Sequence, residues 1–223
     1  LVELYKVEVR ELGEKLGVPS NMIWRHPFPG AGLGVRLLCS DGVVDISDSE
    51  LERLSIAVQG TLAETELQSV TLPIRSVGVK ADLRVYEHPV LLHGNASWSQ
   101  LEQAAGRIFN QVKGVNRCIW NLTDSMPREF GILPATMTRE RLDLLREVDH
   151  KGREFCIVRP VYSERAMSAR PGRLSRELLD ELRDAIMSFR EVSGLAYDIT
   201  SKPPGTIEWK ATGGVMVSRK KPN

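Results

Sequence analysis

Gly114-Val115-Asn116-Arg117-Cys118-Ile119-Trp120-Asn121 reads as a strand that follows an amphipathic helix. Later in the chain Gly194-Leu195-Ala196-Tyr197-Asp198 follows a second such helix. Working outward from the first run, strands are expected over 70–80 and 84–92. A helix follows over 97–113, with Trp98, Leu101, Ala105, Ile108 and Val112 on one face, and Gly114 caps it. Around the second run, a strand over 155–162 precedes a helix over 174–193. That helix carries Leu178, Leu182, Ile186 and Phe189 on one face, is capped by Gly194, and leads into a strand from Leu195 to Thr200. Apolar spacings of three and four let each helix cover one face of a small sheet, so each stripe reads as core. The pattern predicts an α+β fold built as two tandem related units, each a small, mostly antiparallel sheet covered by a helix. The second closing strand reads three residues shorter than the first and lacks its arginine. A strand shortened by an odd number keeps its facing only with a bulge or a compensating turn.

Further out the signals are local. Residues 1–17 read as a helix with Leu4, Val7, Leu12 and Leu16 on one face and Gly17 at its stop. Residues 18–37 form a Pro/Gly-rich loop that runs into a short strand, Val35 to Leu38. Ser47-Asp48-Ser49-Glu50 is a helix start, continued by Leu51, Leu54 and Val58. Thr138 to Asp149 reads as another helix behind a linker near Pro127 and Pro134. The expected divisions are 1–38, 39–126 as the first unit, a linker helix over 127–152, 153–210 as the second unit, and a tail over 211–223. Leu1 opens inside a helical pattern, as expected of a fragment of a longer protein.

The 223 residues carry 30 Lys and Arg against 29 Asp and Glu. With charges interspersed and one basic tract, Arg219-Lys220-Lys221, read as a solvated tail, nucleic-acid binding is not expected. No apolar run approaches the roughly 20 residues of a membrane span. Cys39, Cys118 and Cys156 are too few and too widely spaced for a disulfide framework or a zinc site, and the four histidines lack ligand spacing. No stretch of this sequence resembles a signal peptide, so the sequons at Asn95 and Asn121 are expected to be chance matches in a cytoplasmic protein.

Two runs suggest chemistry. Asp198-Ile199-Thr200-Ser201-Lys202-Pro203-Pro204-Gly205-Thr206-Ile207-Glu208-Trp209 places a rigid Pro-Pro-Gly turn between a lysine and a glutamate. Such a turn is either a capped strand end or a loop that presents one cation and one carboxylate to a phosphorylated small molecule. His26-Pro27-Phe28-Pro29-Gly30-Ala31-Gly32-Leu33-Gly34-Val35-Arg36, with Arg25 before it, offers glycine backbone and guanidinium groups to an anion. It matches neither the Walker spacing nor the dinucleotide fingerprint.

With Leu72-Pro73-Ile74-Arg75-Ser76-Val77-Gly78-Val79-Lys80-Ala81-Asp82-Leu83-Arg84-Val85-Tyr86 and the opening helix, these runs resemble the GMP synthase family, from residue 1 to Trp209. The resemblance implies the C-terminal, long two-repeat region of that family, behind a remnant of its α/β ATP pyrophosphatase domain. It implies conversion of XMP, ATP and glutamine-derived ammonia to GMP, AMP and pyrophosphate by the full-length protein, with XMP recognition and dimerisation as the local roles.

Residue by residue, the resemblance implies XMP contacts by Lys202 at the phosphate and Glu208 at the ribose or base. Asp82, Arg36, Gly30 and Gly32 border the same site. Asp82 is equally a turn residue, and Arg75 and Arg84 are equally a structural salt bridge or a dimer contact. No catalytic residue and no metal ligand is expected in this chain. The family's SGGxDS phosphate loop and its Cys/His/Glu amidotransferase set are not found here. ATP and Mg²⁺ are therefore expected to bind mainly outside it, on upstream ATP pyrophosphatase and glutamine amidotransferase domains. A homodimer is the expected state. The alternative is a non-catalytic dimerisation module that has lost nucleotide binding. The chain departs from the family pattern at Ala81, where glycine is usual, at Ala31, where proline is usual, and at Lys210, where an acid is usual. Gln68 is a stand-in for a family glutamine that touches XMP.

Overall fold

The computed structural model describes residues 6–23, 46–127, 129–133, 154–163, 167–190, 192–207, 209 and 215–219. The Pro/Gly loop and strand expected over 18–38, from residue 24 on, and the helix expected over 138–149 lie outside them.

Local chemistry accounts for the helix ends. Helix α1 (Lys6–Lys15) stops in a Schellman motif: Gly17 sits at φ 75°, and the Val18 N–H reaches the Gly13 carbonyl at 3.0 Å. A short α2 (Ser20–Ile23) follows. In α3 (Asp48–Thr61), Ser47 and Glu50 close a capping box. In α4 (Trp98–Gln111), Ser97 and Gln100 close another. Ser175 caps α5 (Arg176–Met187) by accepting from the Leu178 N–H.

The strands are β1 (Gln68–Thr71), β2 (Ser76–Lys80), β3 (Leu83–His93), β4 (Val115–Asn121), β5 (Glu129–Leu133), β6 (Glu154–Val158), β7 (Val161–Tyr162), β8 (Arg170–Pro171), β9 (Val192–Asp198) and β10 (Val215–Arg219). Where the sequence suggests two small sheets, the described strands other than β7 and β8 join in one mixed sheet of order β1-β3-β4-β9-β6-β10-β5, with β2 on the first half of β3. Strands β3 and β4 are parallel, joined across α4. Strands β6 and β9 are parallel, joined by way of α5. These two β-α-β crossovers meet through the antiparallel pair β4·β9, where Trp120 lies opposite Tyr197.

Strand alternation divides the core in two. Val90, Leu92, Cys118, Trp120 and Tyr197 face the helices, with Leu101, Ala104, Ala105 and Ile108 of α4. Leu91, Ile119 and Ala196 face the other way, against Leu72, Ile74, Phe155 and Trp209. The expected α4 stripe is the buried one. On α5 only Leu179 is buried, while Leu178 and Phe189, both expected in the stripe, are 46% and 61% exposed.

Three further expectations change. First, β9 is as long as β4, because it begins at Val192. Gly194 therefore lies inside the strand and is not the helix cap. Phe155 requires the glycine, since a Cβ there would stand 2.6 Å from its ring. Second, the expected strand over 155–162 breaks at Arg159-Pro160 and resumes as β7, paired with β8. Third, the tail contributes β10, which pairs with β5 and β6, and the linker contributes β5.

Candidate functional site

The site is built where β9 runs out. Asp198 is its last residue, fully buried on the sheet face opposite the helices. The strand pairing is prolonged beyond it by main-chain and side-chain bonds to Cys118. The Ile199 N–H donates to the Cys118 carbonyl, and the Thr200 hydroxyl bonds both the N–H and the carbonyl of Cys118, at 2.9 and 3.0 Å. The chain then turns through Ser201-Lys202-Pro203-Pro204-Gly205. Gly205 N–H reaches back to the Ser201 carbonyl at 3.0 Å, and the Lys202-Pro203 and Pro203-Pro204 peptide bonds are cis.

This loop docks on β2. The Val79 N–H donates to the Pro204 carbonyl at 2.7 Å, and Gly78 bridges to Gly205. A Cβ on Gly78 would stand 2.5 Å from that carbonyl oxygen and 2.8 Å from Asn116 Nδ2, so only glycine admits the loop here. Asn116 is itself held by Ser76, donating to its carbonyl at 2.6 Å and accepting from its hydroxyl at 2.7 Å. The Arg75-to-Asp82 run and the Lys-Pro-Pro-Gly run, separate motifs in the sequence, are thus two sides of one assembly.

Two arginines strap the loop from beneath. Arg117 on β4 pairs with Asp198 Oδ2 at 2.9 Å. It also donates to the Thr206 carbonyl and hydroxyl and to the Val77 carbonyl, and lies 4.5 Å from the centre of the Trp209 ring. Arg159, just after β6, pairs with Asp198 Oδ1 at 2.7 Å and donates to the carbonyls of Thr200, Thr206 and Ile207. Trp209 Nε1 donates to Asp198 Oδ2 at 2.6 Å, and the Thr200 N–H donates to Oδ1 at 2.9 Å. Burial alone would raise the Asp198 carboxyl. The charges of Arg159 and Arg117 and the Thr200 hydrogen bonds outweigh it and hold the carboxyl below its ordinary value. Burial lowers Arg117 to about 10, against the pull of Asp198, so it stays cationic at neutral pH.

Of the residues singled out by sequence, Lys202 sits on this loop, half-buried, with its backbone paired in both directions to Ala169. Asp82 lies in the exposed two-residue turn between β2 and β3 at φ 61°, beside Ala81 at φ 48°. Glu208, Arg36, Gly30, Gly32, Arg25, Ala31 and Lys210 lie outside the described residues. Gln68 pairs with His93 at the far end of β3, whereas Gly78 pairs with Val85. At about 3.3 Å per residue that is about 26 Å away along the strand, so Gln68 does not join the loop. Arg75 donates to the Tyr86 carbonyl within its own hairpin.

Sequence reading passed over Arg117, Arg159 and Asp198 as site residues. The signal was available: each is a charge set in or against an apolar strand, and a buried charge requires a partner.

Among the described residues no group of three or more His, Cys, Asp and Glu side chains converges. Burial pushes the Cys118 thiol well above its usual range, which leaves it a core residue and no nucleophile. No helix among the described residues is long and apolar enough to cross a membrane.

The sequence is similar to known proteins of one family. The GMP synthase C terminal domain family matches residues 146–209. The chain is 32% identical, over 93% of its length, to a probable glutamine-hydrolysing GMP synthase of Leptospira interrogans, of which it spans 39%. It is 33% identical, again over 93% of its length, to a glutamine-hydrolysing GMP synthase of Syntrophomonas wolfei, of which it spans 29%. Over 57% of its length it is 38% identical to the enzyme of the same name from Lacticaseibacillus rhamnosus, of which it spans 28%.

Proposed function

With its sequence placed in the C-terminal region of GMP synthases, we propose that this chain is the part of a glutamine-hydrolysing GMP synthase that recognises XMP. The full-length protein would convert XMP, ATP and glutamine-derived ammonia to GMP, AMP and pyrophosphate in the cytoplasm. ATP, Mg²⁺ and the ammonia-producing chemistry belong to ATP pyrophosphatase and amidotransferase domains upstream, and residues 1–38 are the end of the first of these.

The observation that carries the reading is the docking of the Lys202-Pro203-Pro204-Gly205 loop on Gly78 and Val79. A preorganised loop loses little conformational entropy when a ligand binds it. Lys202 neutralises the XMP phosphate, and Glu208 accepts hydrogen bonds from the ribose or base. Arg36, Gly30 and Gly32 of the Pro/Gly loop, with Asp82, would border the same site.

The two β-α-β crossovers are related copies in this reading. Two observations support it when Val115–Thr123 is set against Val192–Thr200. Asn121 Oδ1 then accepts from the Thr123 N–H as Asp198 Oδ1 accepts from the Thr200 N–H. The strand pairing also shifts register at matching points, between His88 and Pro89 and between Glu154 and Phe155. Gly194 then stands where the first copy has Arg117. The chain also dimerises, through an isologous contact.

Isothermal titration of XMP into this chain and into Lys202→Ala tests the reading. We expect saturable binding that weakens at least tenfold in the variant, as follows from losing a charge-assisted phosphate contact of about 1.5–3 kcal/mol. Equal binding by both would remove Lys202 from the site. Binding by neither the chain nor the full-length protein would leave a dimerisation module that has lost the nucleotide.

A further inference from the structure

Arg159 makes an arrangement that neither strand pairing nor the ion pair with Asp198 requires. Its side chain is 7% exposed. Nη1 reaches the Thr200 carbonyl at 3.0 Å, Nη2 the Thr206 carbonyl at 2.9 Å and Nε the Ile207 carbonyl at 2.9 Å. The first of these carbonyls lies where the loop begins and the other two lie where it ends. Between them run Ser201, Lys202, Pro203, Pro204 and Gly205. A guanidinium is planar and its donors point in fixed directions, so one rigid group holds both ends of the loop at a set separation.

We infer that Arg159 is a positioning residue for substrate recognition: by spanning Thr200, Thr206 and Ile207 it sets the shape of the loop that presents Lys202. The inference rests on the XMP reading of the loop. Arg159 itself does not touch the substrate. It acts through the main chain, as the loop's shape determines whether the Lys202 cation meets the phosphate of the nucleotide. Arg117 supports the far side at Thr206.

The discriminating variant is Arg159→Lys in the full-length protein. An ammonium keeps the positive charge opposite Asp198, yet as a point donor on a flexible stem it cannot hold three carbonyls in a plane. A purely structural or electrostatic role predicts that lysine rescues; a positioning role predicts that it does not. We expect the KM for XMP to rise at least tenfold, with the KM for ATP and kcat at saturating XMP unchanged. In the ligand-free variant, the amide protons of Gly205 and Val79, which close and dock the loop, should exchange at least tenfold faster. The control, Ile108→Val in the helix-covered core, should lower the melting temperature and leave both readouts at the parent value. A parent-like KM for XMP, or parent-like exchange at Gly205 and Val79, in Arg159→Lys overturns the inference.

If that variant does not fold, the parent protein still decides. The Arg159 Nε proton should be protected from solvent exchange before any XMP is added, and rapid exchange in the free protein would overturn a preset span. Failure of the XMP reading itself looks different, because the parent protein then shows no XMP dependence; that outcome removes the positioning role with it.

Discussion

Ala81 occupies φ 48° and Asp82 φ 61°, the left-handed region, in a two-residue turn that joins Lys80 to Leu83. A side chain with a Cβ is disfavoured there by roughly 1–2 kcal/mol. The strain at Ala81 is a local defect in a hairpin whose other features favour it. Replacing Ala81 with glycine relieves it at some cost in unfolded-state entropy. The expected net effect of Ala81→Gly is a stabilisation of about 1 kcal/mol, seen as a higher urea midpoint with an unchanged slope. Substrate binding should not change if Asp82 serves only the turn. The glycine usual at this position in the family pattern was thus a readable signal of backbone conformation. The two-residue turn between alternating strands marked where the hairpin reverses.

Among the elements, the contact that matters most is a strand against a loop. Strand β2 is short and pairs on one side with β3; its glycine is turned toward Pro204 and Asn116. Main chain and a hydrogen-bonded side chain bound this space, and neither is a flexible end that can yield. Gly78→Ala is therefore expected to cost about 1–3 kcal/mol, the range for overpacking a filled site. It should also push the Lys202 loop off β2, so that the Val79 amide loses its exchange protection while the amides of α4 keep theirs. Hydrogen exchange resolved by residue checks both halves of that expectation. The helices show how uneven legibility was at this scale. The helix start at Ser47 and the apolar face of α4 were plain in the sequence, since caps and stripes act over three or four residues, whereas the caps at Ser97 and Ser175 came from the structure. The buried face of α5 was misjudged by one position, Leu179 in place of Leu178, because adjacent leucines leave the phase of the stripe open.

At the scale of the whole molecule, Asp198 ties β9, β4, the end of β6 and the Trp209 segment into one centre. A carboxylate shared by two buried guanidiniums is strongly coupled to folding. Asp198→Asn would leave both cations facing a neutral amide, and the expected loss is about 3–5 kcal/mol, the range for breaking a buried pair. The folded carboxyl is held below its unfolded value. Its stabilisation is therefore complete above the unfolded carboxylate range near pH 4 and is lost as pH falls through the folded pKa. Chemical denaturation as a function of pH should show that acid loss in the parent chain and a shallower slope in Asp198→Asn.

What the amino-acid sequence determined by itself was local: where the helices lie, which strands alternate, where the hairpin turns, and which runs resemble GMP synthase. Those properties depend on residues within a turn or two of one another. The tertiary structure alone decided that the two β-α-β crossovers share one sheet, that β9 starts early enough to match β4, and that the tail returns as a strand. It also decided which charges meet. Arg117 and Asp198 are 81 residues apart, and Thr206 and Val77 are 129 apart. No local propensity links such positions; they are joined because non-local strand pairing stacks β2, β4 and β9 beneath one loop, and burial then forces each charge to find the other.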